Sequence, residues 1–285
     1  MASSAIVLAC ILTMGIAAAR LPAVALAEAG QETDLARLWE AAARNPRDAD
    51  VQNRLGEALE RMGALDAAVD AYRLALAERP DFRKASNNLI LALVKAGKGE
   101  EAVQRARALV AAAPEDPDRH FTLGLAQSEQ NVSDAIASFR RVLALAPLHT
   151  LARYNLALVL KRADRLPEAV GELERAIAIE PRPEIHYTLA VLYWQQGETG
   201  GAVYRLRDAI ALQPDYADAH YTLGAVLKSR RDWNGAAASL RRAIALRPDL
   251  ASAHYTLGQV LQASGDARGA REHLDRKSTR LNSSH

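Results

Sequence analysis

The chain of 285 residues holds a single cysteine, Cys10, and it lies inside an apolar leader. If that leader is removed, disulfides, thiolate catalysis and cysteine metal sites are excluded together. Aromatic residues make up only 5% of the sequence. Charge of one sign is also missing: 36 Lys and Arg stand against 34 Asp and Glu. The electrostatic attraction behind nucleic-acid binding is therefore absent at the level of the whole chain. No apolar run is long enough for a bilayer span: the longest, Ala5 to Ala19, falls short of the roughly 20 residues required. HExxH, phosphate-binding or dinucleotide-binding glycine loops and Gly-x-Ser-x-Gly do not occur. These absences leave little room for an enzyme, a metal or another cofactor.

What is present is a period. Pro46, Pro80, Pro114, Pro147, Pro181, Pro214 and Pro248 follow one another at intervals of 34, 34, 33, 34, 33 and 34 residues. Proline lacks the N–H of the helical ladder and disfavours helix at the residue before it, so each one ends a helix and opens a turn. Ten residues after four of these prolines stands a Leu-Gly pair, at Gly56, Gly124, Gly224 and Gly258, and Ile90, Ala157 or Ala190 takes the glycine's place elsewhere. His220, Leu223, Gly224 and Leu227 share one helical face. A helical glycine costs roughly 1 kcal/mol against alanine, so its recurrence points to close helix packing. Before the prolines runs a second stripe of alanine, a large residue and alanine: Ala68, Tyr72, Ala75; Ala169, Leu173, Ala176; Ala236, Leu240, Ala243.

The pattern resembles the tetratricopeptide repeat family, bacterial type, whose unit is two antiparallel helices closed by a proline. The resemblance implies an all-α, right-handed α-solenoid of six full repeats and one partial repeat over residues 49–275. Residues 28–48 read as a capping helix of second-helix type, with Leu38 and Ala41 in register. Residues 1–27 read as a secretory signal ending at Ala27, although Met1 to Ser4 carries no Lys or Arg. Export to the periplasm or outside the cell is thus expected, with anchoring to the inner membrane by the N-terminal segment, or a cytoplasmic protein, as alternatives. Residues 276–285, RKSTRLNSSH, break the repeat and read as a non-native or disordered tail.

His120, His186, His220 and His254 share one repeat position. Equivalent positions lie at least about 8 to 10 Å apart, too far for one zinc ion, so packing between helices is expected and no metal. Asp81, Asp215 and Asp249 directly follow prolines and are expected to cap the next helix. Asn131-Val132-Ser133 matches a glycosylation sequon.

One residue after the histidines runs an aromatic column: Phe121, Tyr154, Tyr187, Tyr221 and Tyr255. In the resembled family first helices line a concave groove, which implies that this column, with Lys161, Trp194 and Lys228 seven residues on, faces a ligand. A protein or peptide segment suits such tyrosines. The same column could equally stiffen the stack by packing between first helices. A clamp for a C-terminal carboxylate would need a lysine at Asn53 and an asparagine at Glu57, and only Asn88 fits. An asparagine ladder, as in sugar-transferring relatives, keeps just Asn88 and Asn155. The expected function is a non-enzymatic protein-interaction scaffold. The recognition module of a larger enzyme, such as a glycosyltransferase, and a structural oligomer are the alternatives.

Overall fold

The computed structural model describes residues 29–281. Its regular elements are 15 α-helices, with no strand among the described residues. A lone helix, α1 (Ala29–Arg44), precedes three helix pairs: α2 (Ala49–Arg61) with α3 (Leu65–Glu78), α4 (Arg83–Lys95) with α5 (Gly99–Ala112), and α6 (Pro117–Gln127) with α7 (Val132–Leu145). These form a first compact unit that ends at Pro147. The second unit begins at Leu148 and holds α8 (Thr150–Arg162) with α9 (Leu166–Ile179), α10 (Pro183–Gln195) with α11 (Thr199–Leu212), α12 (Ala217–Ser229) with α13 (Trp233–Leu246), and α14 (Ala251–Ala263) with α15 (Ala267–Leu281). Within each unit a first helix packs on its own second helix and on the second helix of the repeat before, which is the arrangement of an α-solenoid.

The glycines of the first helices have a steric cause. A Cβ at Gly56 would stand 2.5 Å from the Tyr72 ring, one at Gly124 2.7 Å from Phe139, and those at Gly224 and Gly258 2.6 and 2.7 Å from Leu240 and Leu274. Each partner is the large residue of its own second helix. In the second repeat the sizes are exchanged: buried Ile90 replaces the glycine and buried Ala106 replaces the large residue. Dense packing requires the pair's summed volume, and either order supplies it. The unit cores are built from such pairs, Leu55, Tyr72, Leu89, Ile90 and Leu93 in the first and Leu206, Leu223, Leu240 and Leu257 in the second.

The turn inside a repeat places one residue in the left-handed region: Gly63, Gly97, Gly197 and Gly265, but also Asp164 and Arg231. Gly97 N–H donates to Val94 O and Lys98 N–H to Leu93 O, closing the helix end. The third repeat has no such residue among the described ones. Its first helix ends at Gln127, and Asn131 caps α7 by accepting from the Ser133 and Asp134 N–H groups. The sequon asparagine thus has a structural task.

Two expectations change. Asp81, Asp215 and Asp249 do not cap: the N-cap residues are Phe82, Tyr216 and Leu250, one position later, and none has a side-chain cap. Asp48 and Asp116 stand two residues after their prolines and do cap, accepting from Asp50 and Val51 N–H and from Asp118 N–H. An aspartate one residue early cannot reach the free N–H groups. Next, α1 buries Leu35, Trp39 and Ala42 and leaves Leu38 only partly covered, one residue out of the expected register, because the bulky Trp39 is turned into the core. Separately, α15 runs as helix to Leu281, into the segment from 276 read as a non-native or disordered tail. The signal reading of 1–27 and the last residues, 282–285, lie outside the described residues. Among the described residues no helix is long and apolar enough to cross a membrane, and no group of three or more His, Cys, Asp or Glu could hold a metal ion.

The histidine position has a task that its pattern alone does not reveal. Nε2 of His120, His220 and His254 lies 2.7, 3.1 and 3.0 Å from the carbonyl oxygens of Pro114, Pro214 and Pro248. A carbonyl only accepts, so each imidazole donates Nε2–H. Gln52 does the same in the first repeat, Nε2–H to Pro46 O at 3.0 Å. His186, after the shorter turn at Pro181, is buried with Nδ1 3.3 Å from Asp208, at an angle that makes no hydrogen bond. Burial pulls its pKa below the ordinary histidine value despite the nearby Asp208 carboxylate.

Candidate functional site

The exposed side of the first helices carries the candidate residues. Asn88 and Phe121 belong to the first unit, and Tyr154, Asn155, Lys161, Tyr187, Trp194, Tyr221, Lys228 and Tyr255 to the second. Many of them are tied to the neighbouring repeat through one recurring offset. Asn88 Nδ2–H donates to Asn53 Oδ1 at 3.1 Å, and Thr122 Oγ1–H to Asn87 Oδ1 at 3.4 Å. Thr222 Oγ1–H donates to Tyr187 OH at 3.4 Å, and the hydroxyls of Tyr154 and Thr188 share a bond of 3.3 Å. The residue in the aromatic column thus meets the residue after that column one repeat later. Tyr187 also packs on Tyr216, ring centroids 5.2 Å apart. The Tyr216 hydroxyl is pushed up to about 12 by burial and by Tyr187. Phe121 turns instead onto Phe139 at 5.8 Å, and Asn155 donates to Leu151 O within its own helix.

In the first unit this face is charged and internally matched. Glu57 Oε1 receives Asn53 Nδ2–H, Asn88 Nδ2–H and the Lys84 ammonium, at 2.9, 3.1 and 2.7 Å. Burial alone would raise the Glu57 carboxyl, but Lys84, Asn53 and Asn88 outweigh it and hold the pKa below the usual range. Glu60 accepts from Lys95 Nζ at 2.5 Å and from Tyr72 OH at 3.0 Å. Burial and Glu60 together raise the Tyr72 hydroxyl far above its ordinary value. A shallow pocket among Glu57, Glu60, Arg61, Tyr72, Asn88 and Lys95 results. Glu57, Glu60, Lys84 and Lys95 escaped the sequence reading. Their only signal was opposite charge at separations of 27 and 35 residues, which needs the fold to be meaningful.

In the second unit the same face is aromatic and cationic. Trp194 and Tyr255 are 37% and 42% exposed, enough surface to meet a ligand. The Lys161 ammonium has no hydrogen-bond or ion-pair partner among the described residues, and Lys228 donates to the neutral Gln259 Oε1 at 2.5 Å. Tyr154, Tyr187 and Tyr221 are half-buried, and Tyr187 and Tyr221 pack in part against the core of the unit. The face can stack, bury apolar groups and receive negative charge. The described residues place no nucleophile, base and oxyanion donors together on it.

Comparison with known proteins agrees with this architecture. Tetratricopeptide repeat profiles match residues 23–81, 126–192, 193–229 and 226–265. The human protein O-mannosyl-transferase TMTC3 is 30% identical over 164 residues, covering 54% of this chain and 18% of its own length, so the chain spans under a fifth of that relative. A tetratricopeptide repeat protein from Parabacteroides merdae superposes with a TM-score of 0.61 at 19% identity, over 82% of this chain and 93% of its own. YrrB, described as a TPR protein with an unusual peptide-binding site, gives a TM-score of 0.53 at 20% identity over 60% of this chain and 89% of its own. The helix pairs, the Leu-Gly notches filled by second-helix side chains and these matches together show that the chain belongs to the tetratricopeptide repeat family.

Proposed function

We propose that this protein is a non-enzymatic interaction scaffold that holds a peptide or protein segment on the first-helix face of its second unit. The observation that carries this reading is the run of partly or fully exposed aromatic residues, half-buried Tyr154, Tyr187 and Tyr221 with exposed Trp194 and Tyr255, on successive first helices. Rigid aromatic side chains offer large contact area at low entropic cost. Export by the N-terminal 27 residues belongs to the same proposal. A photoreactive residue replacing Tyr221 in the native host tests it: crosslinks to one partner, absent when the probe replaces outward-facing Arg241, support the reading. Equal labelling from both positions overturns it. A second reading, that these repeats serve as the recognition part of a larger transferase, rests on the TMTC3 match. A reading frame continuing past residue 285 into a catalytic domain would favour it.

A further inference from the structure

The two units differ in how they settle charge on the first-helix face. In the first unit the acidic groups of that face, Glu57 and Glu60, are each neutralised by a lysine of the next repeat. In the second unit the three positions of the face, namely the tyrosine column and the residues four and seven further on, include no carboxylate at all between Tyr154 and Gln262. The carboxylates at the heads of its helices are already engaged, Glu184 with Arg182 and Asp218 with both guanidinium nitrogens of Arg247. Two ammonium groups remain uncompensated. The Lys161 ammonium has no partner among the described residues, and Lys228 is steadied by the neutral amide of Gln259, which fixes its place without cancelling its charge.

Resting on the scaffold reading above, we infer that the second unit takes an extended acidic peptide, with carboxylates at Lys161 and Lys228 and an apolar side chain on Trp194 between them. Lys161, Trp194 and Lys228 occupy the same position in α8, α10 and α12. With each step between first helices no shorter than a helix-packing distance of about 8 to 10 Å, the lysines stand at least roughly 16 to 20 Å apart. An extended chain advancing about 3.3 Å per residue covers that span in five or six residues. The expected ligand therefore carries acidic residues at least five or six apart with an apolar residue midway. A polynucleotide is disfavoured because it bears a charge on every residue and is gripped by a continuous basic groove. Here a neutral, exposed indole stands between the two lysines.

The test is fluorescence anisotropy on the full chain with synthetic peptides: one with two glutamates five residues apart and leucine between, the same peptide with glutamines, and the same with lysines. The glutamate peptide is expected to bind most tightly, to weaken about tenfold in the Lys161→Gln, Lys228→Gln double variant, and to weaken as salt is raised. Circular dichroism of the double variant should match the parent, since both lysines are surface side chains. If the glutamine peptide binds equally well and is lost in Tyr221→Ala, the scaffold reading stands and the acidic ligand is overturned. If no peptide binds, both are overturned. Tighter capture of a single-stranded oligonucleotide than of the glutamate peptide would replace the peptide with nucleic acid.

Discussion

Gly224 has no room for a side chain: its Cβ would stand 2.6 Å from Leu240 Cγ and 3.2 Å from the Ala236 carbonyl oxygen. The leucine can shift but the backbone oxygen cannot, so Gly224→Val is expected to lower stability by roughly 1 to 3 kcal/mol, read as a drop in melting temperature. The opposite effect is expected at Arg231, a non-glycine residue at φ 61°. Arg231→Gly removes strain of about 1 to 2 kcal/mol and returns part of it as unfolded-chain entropy, so the melting temperature should rise. At His220 the hydrogen bond to Pro214 O explains why histidine and glutamine share the position. His220→Ala should cost about 1 kcal/mol in chemical denaturation, and His220→Gln should restore most of it. The repeating prolines and glycines were legible in the sequence because backbone geometry and steric exclusion act locally. The capping aspartates were misread because a cap works at one position only, and Pro-Asp places the carboxylate one residue too soon.

At the scale of helices, the joint between neighbouring repeats is what the sequence concealed. Arg73 of α3 grips both carboxylate oxygens of Glu101 in α5, at 2.9 and 3.0 Å, and Lys98 reaches Asp66 at 2.6 Å. Hydrogen bonds from Arg73, then from Arg105, hold the Glu101 carboxyl below its ordinary pKa of 4.5. A depressed carboxyl contributes its stabilisation fully above the unfolded value and loses it as pH falls through the folded one. The protection of α3 to α5 against amide exchange, measured relative to the intrinsic rate at each pH, should therefore fall as pH drops below about 4.5. The His186 imidazole, lowered by burial, follows the same sign: its contribution is complete above 6.5 and declines below it. The second unit should thus weaken first on mild acidification, and His186→Gln should flatten that portion of the stability profile. The aromatic column was readable as a column, but its rungs were not. Each joins residues 34 or 35 positions apart, such as Tyr154 and Thr188, and neither hydroxyl advertises its partner in the linear chain.

Over the molecule as a whole, the two units fasten their repeats by different means. The first relies on ion pairs such as Arg73 with Glu101 and Lys95 with Glu60, all partly exposed. The second relies on tyrosine and threonine hydroxyls and on the Tyr187–Tyr216 contact. Salt screens the first kind, by up to about 1 kcal/mol for each exposed pair, and leaves the second almost untouched. Hydrogen exchange in about 0.5 M salt should accordingly show faster opening of α2 to α5 and little change in α10 to α12. The all-α repeat architecture was legible because a solenoid is written in neighbouring residues and repeated. The division of charge between the units was not, since the chain's total is nearly neutral and conceals it.

Each rung between first helices draws one residue from a repeat and the following residue from its successor. A duplicated copy therefore arrives already carrying both halves of the fastener, one for each flank. Lengthening or shortening such an array by whole copies requires no new adhesive surface to evolve, whereas gaining or losing a single residue within a copy, as at the third repeat, forces local rebuilding of the turn.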